Sequence, residues 1–340
     1  MRKIGAYVAI AALAAVVAAP PAAAFGISLG PFHIGFPFYR HYHRHHLYMR
    51  ATPNDVALPE RQQQSAQQQG VTSALIYPSV ALPAIFQNIF WPANSSPWQF
   101  GYQAIFTTAF AKAPPAQDPH LCQQPFDPNA IVGRISAGIS PTADQSQLLQ
   151  RLGGALGAAS GFLAKSCPAE IPSQPVARLQ LMESQIEELA MALDIVRQPL
   201  QDFENSLSRR QQARYLTPAT PAASSRQNAP INIAAGCGGT ADAINSSIDQ
   251  IDQSVQPTAE QQDAFGDVKH AFGKAASDLE GHCPTVVPPT ALGRLETTEA
   301  RLDSTWRAVL SIQVALANFE TKLSDDQKGR FDAMDFAAAR

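Results

Sequence analysis

The chain has 340 residues, of which 45% are apolar, so it can bury the core of one large domain or of two ordinary ones. Charged residues make up only 16%, and the formal net charge at pH 7 is −3. This balance gives no reason to expect nucleic acid as a partner, because nucleic-acid binding needs a basic surface.

The first 24 residues have the features of a secretory signal peptide. Arg2 and Lys3 form a short basic region, residues 4–19 are apolar, and the small residues Ala22 and Ala24 suit signal peptidase. The apolar run is shorter than the roughly 20 residues that a membrane span needs. We therefore predict export and cleavage after Ala24, with an uncleaved anchor as the alternative.

Residues 25–70 form a His- and Gln-rich leader that we predict to be disordered. The segment "HYHRHH" holds four histidines, and clustered imidazoles can bind a divalent metal such as zinc, copper or nickel. A flexible, mildly basic tail is the alternative. The Gln-rich stretch at residues 61–70 has the composition of a disordered spacer. The metal ligands of this hypothesis are His41, His43, His45 and His46.

One short stretch of the leader, "GISLG" at residues 26–30, matches the Gly-x-Ser-x-Gly pattern of serine hydrolases. That pattern needs a strand before the serine and a helix after it. Here a signal peptide precedes it, and an aromatic and His-rich tract follows. Because the sequence has no phosphate-binding glycine loop and no supported pair of catalytic carboxylates either, we predict that the protein is not an enzyme and uses no cofactor.

Residues 71–117 are rich in aromatic residues and in proline. Two interpretations stay open for the segments "VALPAIFQNIFW" and "WQFGYQAIFTTAF". They either pack onto the rest of the protein as additional core, or they form an apolar surface that meets clients, partners or the membrane. In the second interpretation the client-binding residues are Phe86, Phe90, Trp91, Trp98 and Phe106.

The remainder of the chain contains an internal repeat at an offset of 116 residues. "SPTADQ" at residues 140–145 falls on "QPTAEQ" at 256–261, and Arg178-Leu179 falls on Arg294-Leu295. We predict two homologous helical units, residues 118–216 and 231–336, joined by a Pro/Ala/Ser-rich linker at 217–230. Since each unit has its own apolar pattern, we expect each to fold independently.

Each unit has the periodicity of a helical hairpin or small bundle. The first helix of each unit carries one apolar face, and the second carries a longer seam with alternating steps of three and four residues. The fold class predicted for the protein is therefore all-α. The two long seams consist of Leu179, Met182, Ile186, Leu189, Leu193, Val196, Leu200, Phe203 and Leu207, and of Leu295, Thr298, Leu302, Thr305, Val309, Ile312, Leu316, Phe319 and Leu323.

Four Ser or Thr residues are followed three positions later by Gln, which is the capping-box pattern. The hydroxyl accepts a hydrogen bond from the third backbone N–H of the helix, and the Gln side chain reaches back to the backbone N–H of the cap. The pattern therefore marks two helix starts in each unit. The pairs are Thr142 with Gln145, Ser208 with Gln211, Thr258 with Gln261, and Ser324 with Gln327.

The four cysteines also follow the repeat, with two in each unit. An exported protein meets an oxidising compartment, where cysteines form disulfides. Because each unit has one cysteine near its start and one about midway, we predict the pairs Cys122–Cys167 and Cys237–Cys283.

The Leu-Ser-x-x-Gln segments at residues 207–211 and 323–327 resemble the motif of the LTxxQ family. This family of bacterial periplasmic proteins includes ATP-independent chaperones and stress-response regulators of the Spy and CpxP type. The resemblance covers both units, and residues 90–110 resemble the leader of larger members. The chain differs from the small chaperones in its length, its duplication, its four cysteines and its Ser in place of Thr. Their client-binding residues therefore cannot be transferred to it.

The resemblance implies an exported chaperone-like or envelope stress-response protein that binds non-native or envelope proteins without ATP. A homo-oligomeric state is compatible with this function. Two alternatives remain: a periplasmic metal-binding or metal-sensing protein that uses the His-rich tract, and a structural component of the envelope.

Overall fold

The computed structural model describes residues 27–29, 32–34, 75–91, 102–110, 126–215, 241–284 and 286–334. The described residues form ten α-helices and one pair of short strands, which confirms the all-α class. The predicted signal peptide, the His-rich tract, the Gln-rich spacer and the linker at 217–230 lie outside them. None of the helices in these ranges is both long enough and apolar enough to cross a membrane.

The chain divides into two compact units, residues 1–51 and 52–340. The first contains an antiparallel strand pair, β1 (Ile27–Leu29) and β2 (Phe32–Ile34), in which Ser28 lies opposite His33. The prediction of disorder for the whole leader is therefore wrong for these six residues. Ser28 lies inside β1, whereas a nucleophile elbow would place it at the turn from a strand into a helix.

The larger unit begins with two short helices from the aromatic segment. Helix α1 spans Pro78–Phe90 and helix α2 spans Tyr102–Ala109. Neither helix contains a charged residue. Helices this short are marginal alone in water, so their stability comes from what they pack against.

Each repeat contributes four helices. In the first repeat these are α3 (Pro128–Ile139), α4 (Ala143–Lys165), α5 (Pro175–Ser206) and α6 (Arg209–Tyr215). In the second they are α7 (Ala241–Val255), α8 (Gln262–Gly281, after a 3-10 turn at Ala259–Gln261), α9 (Ala291–Glu320) and α10 (Asp325–Asp332).

The two sets of helices correspond at the offset of 116, even in backbone detail. The two non-glycine residues with positive φ among the described residues are Ser140 (50°) and Gln256 (54°), which occupy equivalent positions. Each ends a helix in the left-handed conformation and is followed by proline, Pro141 or Pro257. A left-handed residue satisfies the end of a helix, and the proline prevents the helix from continuing. The same device therefore separates the first two helices of both repeats.

The predicted apolar seams of α5 and α9 are buried along their whole length. Every one of the predicted positions is at most 6% exposed, including Thr298 and Thr305. The two threonine hydroxyls donate to the carbonyl four residues earlier, that of Arg294 at 2.8 Å and that of Arg301 at 2.9 Å. They can therefore occupy apolar positions because neither buried hydroxyl is left without a partner.

The two repeats share one core instead of folding separately. Helix α4 packs on α5, helix α8 packs on α9, and the long helices α5 and α9 pack along each other. Arg197 of α5 forms a salt bridge with Glu299 of α9, a residue whose side chain is only 5% exposed. This packing argues against the expectation of two independent units, because the long helices contact each other across the repeats as well as their own hairpin partners.

Helix α3 crosses α4 closely at Gly153. A Cβ atom at this position would lie 2.8 Å from Cγ2 of Val132, closer than two carbon atoms can approach. The glycine therefore permits this crossing. Gly157 and Gly161 follow at steps of four residues on the same helix. A Cβ at Gly157 would lie 3.7 Å from Cγ of Pro128, an ordinary contact, and one at Gly161 would meet nothing within 4 Å, so of the three glycines only Gly153 is required by the crossing.

Candidate functional site

All four predicted capping boxes are present in the structure. The backbone N–H of the cap residue donates to the Gln Oε1 at 3.1 Å for Thr142, 3.0 Å for Ser208, 2.8 Å for Thr258 and 2.9 Å for Ser324. Three of the hydroxyls accept the Gln backbone N–H at 3.3 to 3.4 Å, those of Thr142, Ser208 and Ser324.

The four motif glutamines also form two pairs, which the capping pattern alone does not predict. In the first repeat, Gln145 Nε2 donates to Gln211 Oε1 at 3.1 Å, and Gln211 Nε2 donates back to Gln145 Oε1 at 2.8 Å. In the second repeat, Gln261 and Gln327 exchange the same two bonds, both at 2.9 Å. Each pair therefore joins the starts of two helices that lie 66 residues apart in sequence.

These amide pairs also tie down the end of the long helix of each repeat. Gln145 Nε2 donates to the backbone oxygen of Ser206, and Gln261 Nε2 donates to that of Lys322, both at 2.7 Å. Ser206 and Lys322 are equivalent residues at the offset of 116. A single Gln side chain thus caps its own helix, holds the partner glutamine and satisfies a carbonyl at the end of another helix.

Two equivalent arginines, Arg178 and Arg294, connect the repeats to the helices of the aromatic segment. Arg294 donates from Nε to the backbone oxygen of Ile89 at 2.6 Å and from Nη2 to that of Phe90 at 3.2 Å, at the end of α1. Arg178 Nη1 donates to the backbone oxygen of Thr108 at 3.5 Å, at the end of α2. The last carbonyls of a helix have no partner within it and carry partial negative charge, so a guanidinium is a favourable partner.

Each arginine also holds its own repeat. Arg294 Nη1 donates to the backbone oxygen of Pro288 at 2.9 Å, and Arg178 Nε donates to that of Pro172, also at 2.9 Å. The two prolines are again equivalent residues. Burial lowers the pKa of Arg294 to about 10, against the opposing effect of nearby Glu204, so the guanidinium stays charged near neutral pH.

The aromatic side chains proposed as client-binding residues are buried. Phe86 and Phe90 are 0% exposed, Phe106 is 2% and Trp91 is 4%, so in this conformation they are core, which is the first of the two interpretations that the sequence left open. Phe106 packs edge-on against Phe272 of α8, with ring centroids 4.5 Å apart. Trp98, the fifth residue of that prediction, lies outside the described residues.

A network of polar groups surrounds Glu204 where α1, α6 and α9 meet. The Glu204 carboxylate accepts the backbone N–H groups of Ala291 at 2.9 Å and Leu292 at 3.3 Å, and so caps the start of α9. It also accepts the hydroxyl of Tyr215, whose backbone oxygen accepts the Trp91 indole N–H at 2.9 Å. Burial raises the pKa of Glu204, although the hydrogen bonds from Ala291 and Leu292 and the charge of Arg294 oppose the shift.

The interface between α5 and α9 is polar in places and differs between the repeats. Glu183 and Glu299 are equivalent, but the residue equivalent to Arg197, which pairs with Glu299, is Gln313. Burial, together with the neighbouring Glu187, raises the pKa of Glu183 to about 7. Arg301, 1% exposed, donates to the backbone oxygen of Leu279 at 2.5 Å.

Of the residues predicted to bind metal or to form disulfides, Cys167 and Cys283 lie in the described part of the chain. His41, His43, His45 and His46 lie outside the described residues, and the described part of the chain contains no group of three or more His, Cys, Asp or Glu side chains arranged for a metal ion. Cys167 and Cys283 are disulfide-bonded. Because Cys122 and Cys237 lie outside the described residues, the pairing remains a prediction.

The sequence signal for the arginines was present in the repeat itself. Arg178 and Arg294 stand out as a charged pair that recurs within an apolar pattern, which indicates a buried role. The partners of these arginines could not be inferred, because the carbonyls belong to helices 70 and 205 residues away. Glu204 recurs in the same way, as Glu320, but its role could not be inferred because the helix start that it caps lies 87 residues further along the chain.

Comparison with known protein families finds a match for the second repeat. Residues 243–335 match the LTXXQ motif family, and this span contains both Gln261 and Gln327. The resemblance drawn from the motif is thereby confirmed for this repeat. Comparisons with curated proteins and with solved structures found no match.

Proposed function

We propose that this protein is an exported, ATP-independent binding protein of the chaperone or envelope stress-response type, which holds non-native chains in the periplasm. The observation that carries the proposal is the match of residues 243–335 to the LTXXQ motif family. Export rests on the N-terminal signal sequence, with cleavage after Ala24. We also propose that the protein has no catalytic activity.

The way the repeats hold α1 and α2 supports this proposal. Both helices are uncharged segments from outside the repeats, and both bury their apolar side chains on them. A surface that covers apolar side chains and also satisfies backbone carbonyls suits the binding of unfolded chains, which expose both kinds of group.

The test is suppression of aggregation. The purified mature chain, residues 25–340, should reduce light scattering by a denatured test protein in a concentration-dependent way and without ATP. A variant with His41, His43, His45 and His46 replaced by Ala serves as a control, because a metal-binding function would depend on these residues and holding non-native chains would not. Unchanged scattering at a several-fold molar excess would reject the proposal and favour a structural role in the envelope.

A further inference from the structure

The helices α1 and α2 share a sequence pattern that the two repeats recognise in equivalent ways. Residues 85–90 read "IFQNIF" and residues 105–110 read "IFTTAF", so Ile-Phe is followed by a second Phe four positions after the first. Side chains four apart lie on one face of a helix. The four phenylalanines of these patterns are all at most 2% exposed.

The contacts of the two helices follow the symmetry of the repeats in part. Helix α1 packs on α4, α5 and α9, and helix α2 packs on α5 and α8. Each therefore contacts the first long helix of one repeat and the second long helix of the other, which form its groove, and α1 in addition contacts α5. Phe110, directly after α2, packs edge-on against Phe331, with ring centroids 5.7 Å apart. The residue equivalent to Phe331 is Tyr215, whose backbone oxygen accepts the indole N–H of Trp91, directly after α1.

The recognition is completed by a buried charge at the end of each groove. Arg294 is 4% exposed and Arg178 is 3% exposed, and each donates to carbonyls at the C-terminal end of the bound helix. A buried guanidinium is costly unless it is well paired. Part of the pairing comes from the arginine's own repeat, through the carbonyls of Pro288 and Pro172. The rest comes from the backbone of the bound helix and so does not depend on the identity of its side chains.

From this duplicated arrangement we infer that each groove is a binding site for an uncharged amphipathic helix with an Ile-Phe-x-x-x-Phe pattern, and that α1 and α2 occupy the two sites as built-in ligands. The partner that would replace them is an apolar helical segment of a non-native protein. This inference rests on the proposed function and specifies its site. Release of α1 or α2 uncovers a groove lined by apolar side chains, with an arginine placed to donate to the free carbonyls at the end of an incoming helix.

The exposed surface of the repeats offers no broad apolar binding site, which favours a site that α1 and α2 cover. Within the described residues, the large hydrophobic side chains that are exposed are Met191, Ile195, Val286 and Val314, each 37–40% exposed. These are isolated side chains on different elements, apart from Met191 and Ile195, and do not make a broad apolar patch. Apolar binding area becomes available in quantity only when the grooves are vacated.

The experiment uses the full mature chain with a specific protease site inserted within residues 111–121. All four cysteines lie after this segment, so cleavage leaves the N-terminal fragment, which contains α1 and α2, attached by non-covalent contacts alone. The probe is a fluorescein-labelled peptide of residues 76–92, and the matched control is the same peptide carrying F86S and F90S. Fluorescence anisotropy measures binding, and circular dichroism at 222 nm follows the helicity of the cleaved chain.

We expect the labelled peptide to bind the cleaved chain and the serine peptide to bind at least about tenfold more weakly. The uncleaved chain should bind the peptide about a hundredfold more weakly than the cleaved chain, because its own covalently attached α1 competes at high effective concentration. Arg294→Gln in the cleaved chain should weaken binding of this peptide about tenfold, whereas Arg178→Gln should leave it within about twofold.

Two results would overturn the inference. One is a cleaved chain that remains helical and does not bind the peptide. The other is loss of helicity in the repeats when the N-terminal fragment dissociates on dilution. That result would show that α1 and α2 are a permanent part of the core. If the peptide binds but the chain suppresses no aggregation, the proposed function fails and the binding site stands. If aggregation is suppressed without peptide binding, only the site assigned here is wrong.

Discussion

Gln261 and Gln327 exchange two hydrogen bonds of 2.9 Å, and each also caps its own helix. Gln261 additionally donates to the backbone oxygen of Lys322. We predict that Gln261→Ala lowers the free energy of unfolding by roughly 2–4 kcal/mol, because it removes a cap and leaves buried partners unsatisfied. Urea denaturation followed by circular dichroism measures the change.

The neighbouring Gln262 provides a matched control. It is exposed, and its side chain makes one long hydrogen bond, 3.3 Å to the backbone oxygen of Pro257. Gln262→Ala should change stability by no more than about 0.5 kcal/mol. Equal effects of the two substitutions would mean that the amide pair adds nothing to stability beyond helix propensity.

The capping boxes could be predicted from sequence because each is complete within four residues. The apolar seams were equally accessible, since their period is a local property of one helix. The pairing of Gln145 with Gln211 could not be predicted, because it depends on how α4 and α6 meet in space. The burial of Phe106 depends on Phe272, which lies far along the chain in α8. Composition alone therefore could not decide whether the aromatic segment is core or exposed surface.

Replacing Phe86 by Ala should loosen α1 from the repeats. Phe86 is 0% exposed, and removing a buried Phe side chain costs about 3–5 kcal/mol of packing. If α1 is a built-in ligand, the variant should expose its groove and suppress aggregation more strongly than the natural chain. Hydrogen exchange should show faster exchange in residues 78–90, with the repeats still protected.

The control for this prediction is Met191→Ala, which alters an apolar side chain that is 39% exposed. It should leave both hydrogen exchange in α1 and aggregation suppression unchanged. Weaker suppression by the Phe86 variant would instead support direct contact between this side chain and clients.

Glu183 should make stability depend on pH. Burial and Glu187 raise its pKa from 4.5 to about 7, so the folded state binds the proton more tightly than the unfolded state does. The resulting stabilisation is fully present below about pH 4.5 and is lost as pH rises through about 7. Glu183→Gln removes this titration, so its stability should match the natural chain at pH 4 and exceed it at pH 8, by on the order of 2 kcal/mol.

Thermal and urea unfolding at both pH values check this prediction, with Glu170→Gln as the control at an exposed position. Half-buried Glu187 and buried Glu204 also have raised pKa values, so the natural chain keeps some pH dependence in every variant. A constant difference between the Glu183 variant and the natural chain from pH 4 to pH 8 would contradict the assignment.

The disulfides should pair within each repeat, as Cys122–Cys167 and Cys237–Cys283. Each bond would close a loop of about 45 residues, which the chain-entropy model values at roughly 4 kcal/mol. Reduction should therefore lower the urea midpoint substantially, and replacing one pair by Ala should give about half of the effect. Peptide mapping without reductant identifies the pairs, and a peptide joining Cys167 to Cys237 would refute the assignment.

Separate expression of the repeats should show that they depend on each other. Residues 118–216 alone would expose the face of α5 that packs on α9, and residues 231–340 alone would lose the Glu204 carboxylate that caps the start of α9. Neither fragment should unfold cooperatively by circular dichroism. An equimolar mixture should recover helicity and elute as a complex, because the interface between α5 and α9 is restored, whereas cooperative melting of each fragment alone would mean that the shared core is dispensable.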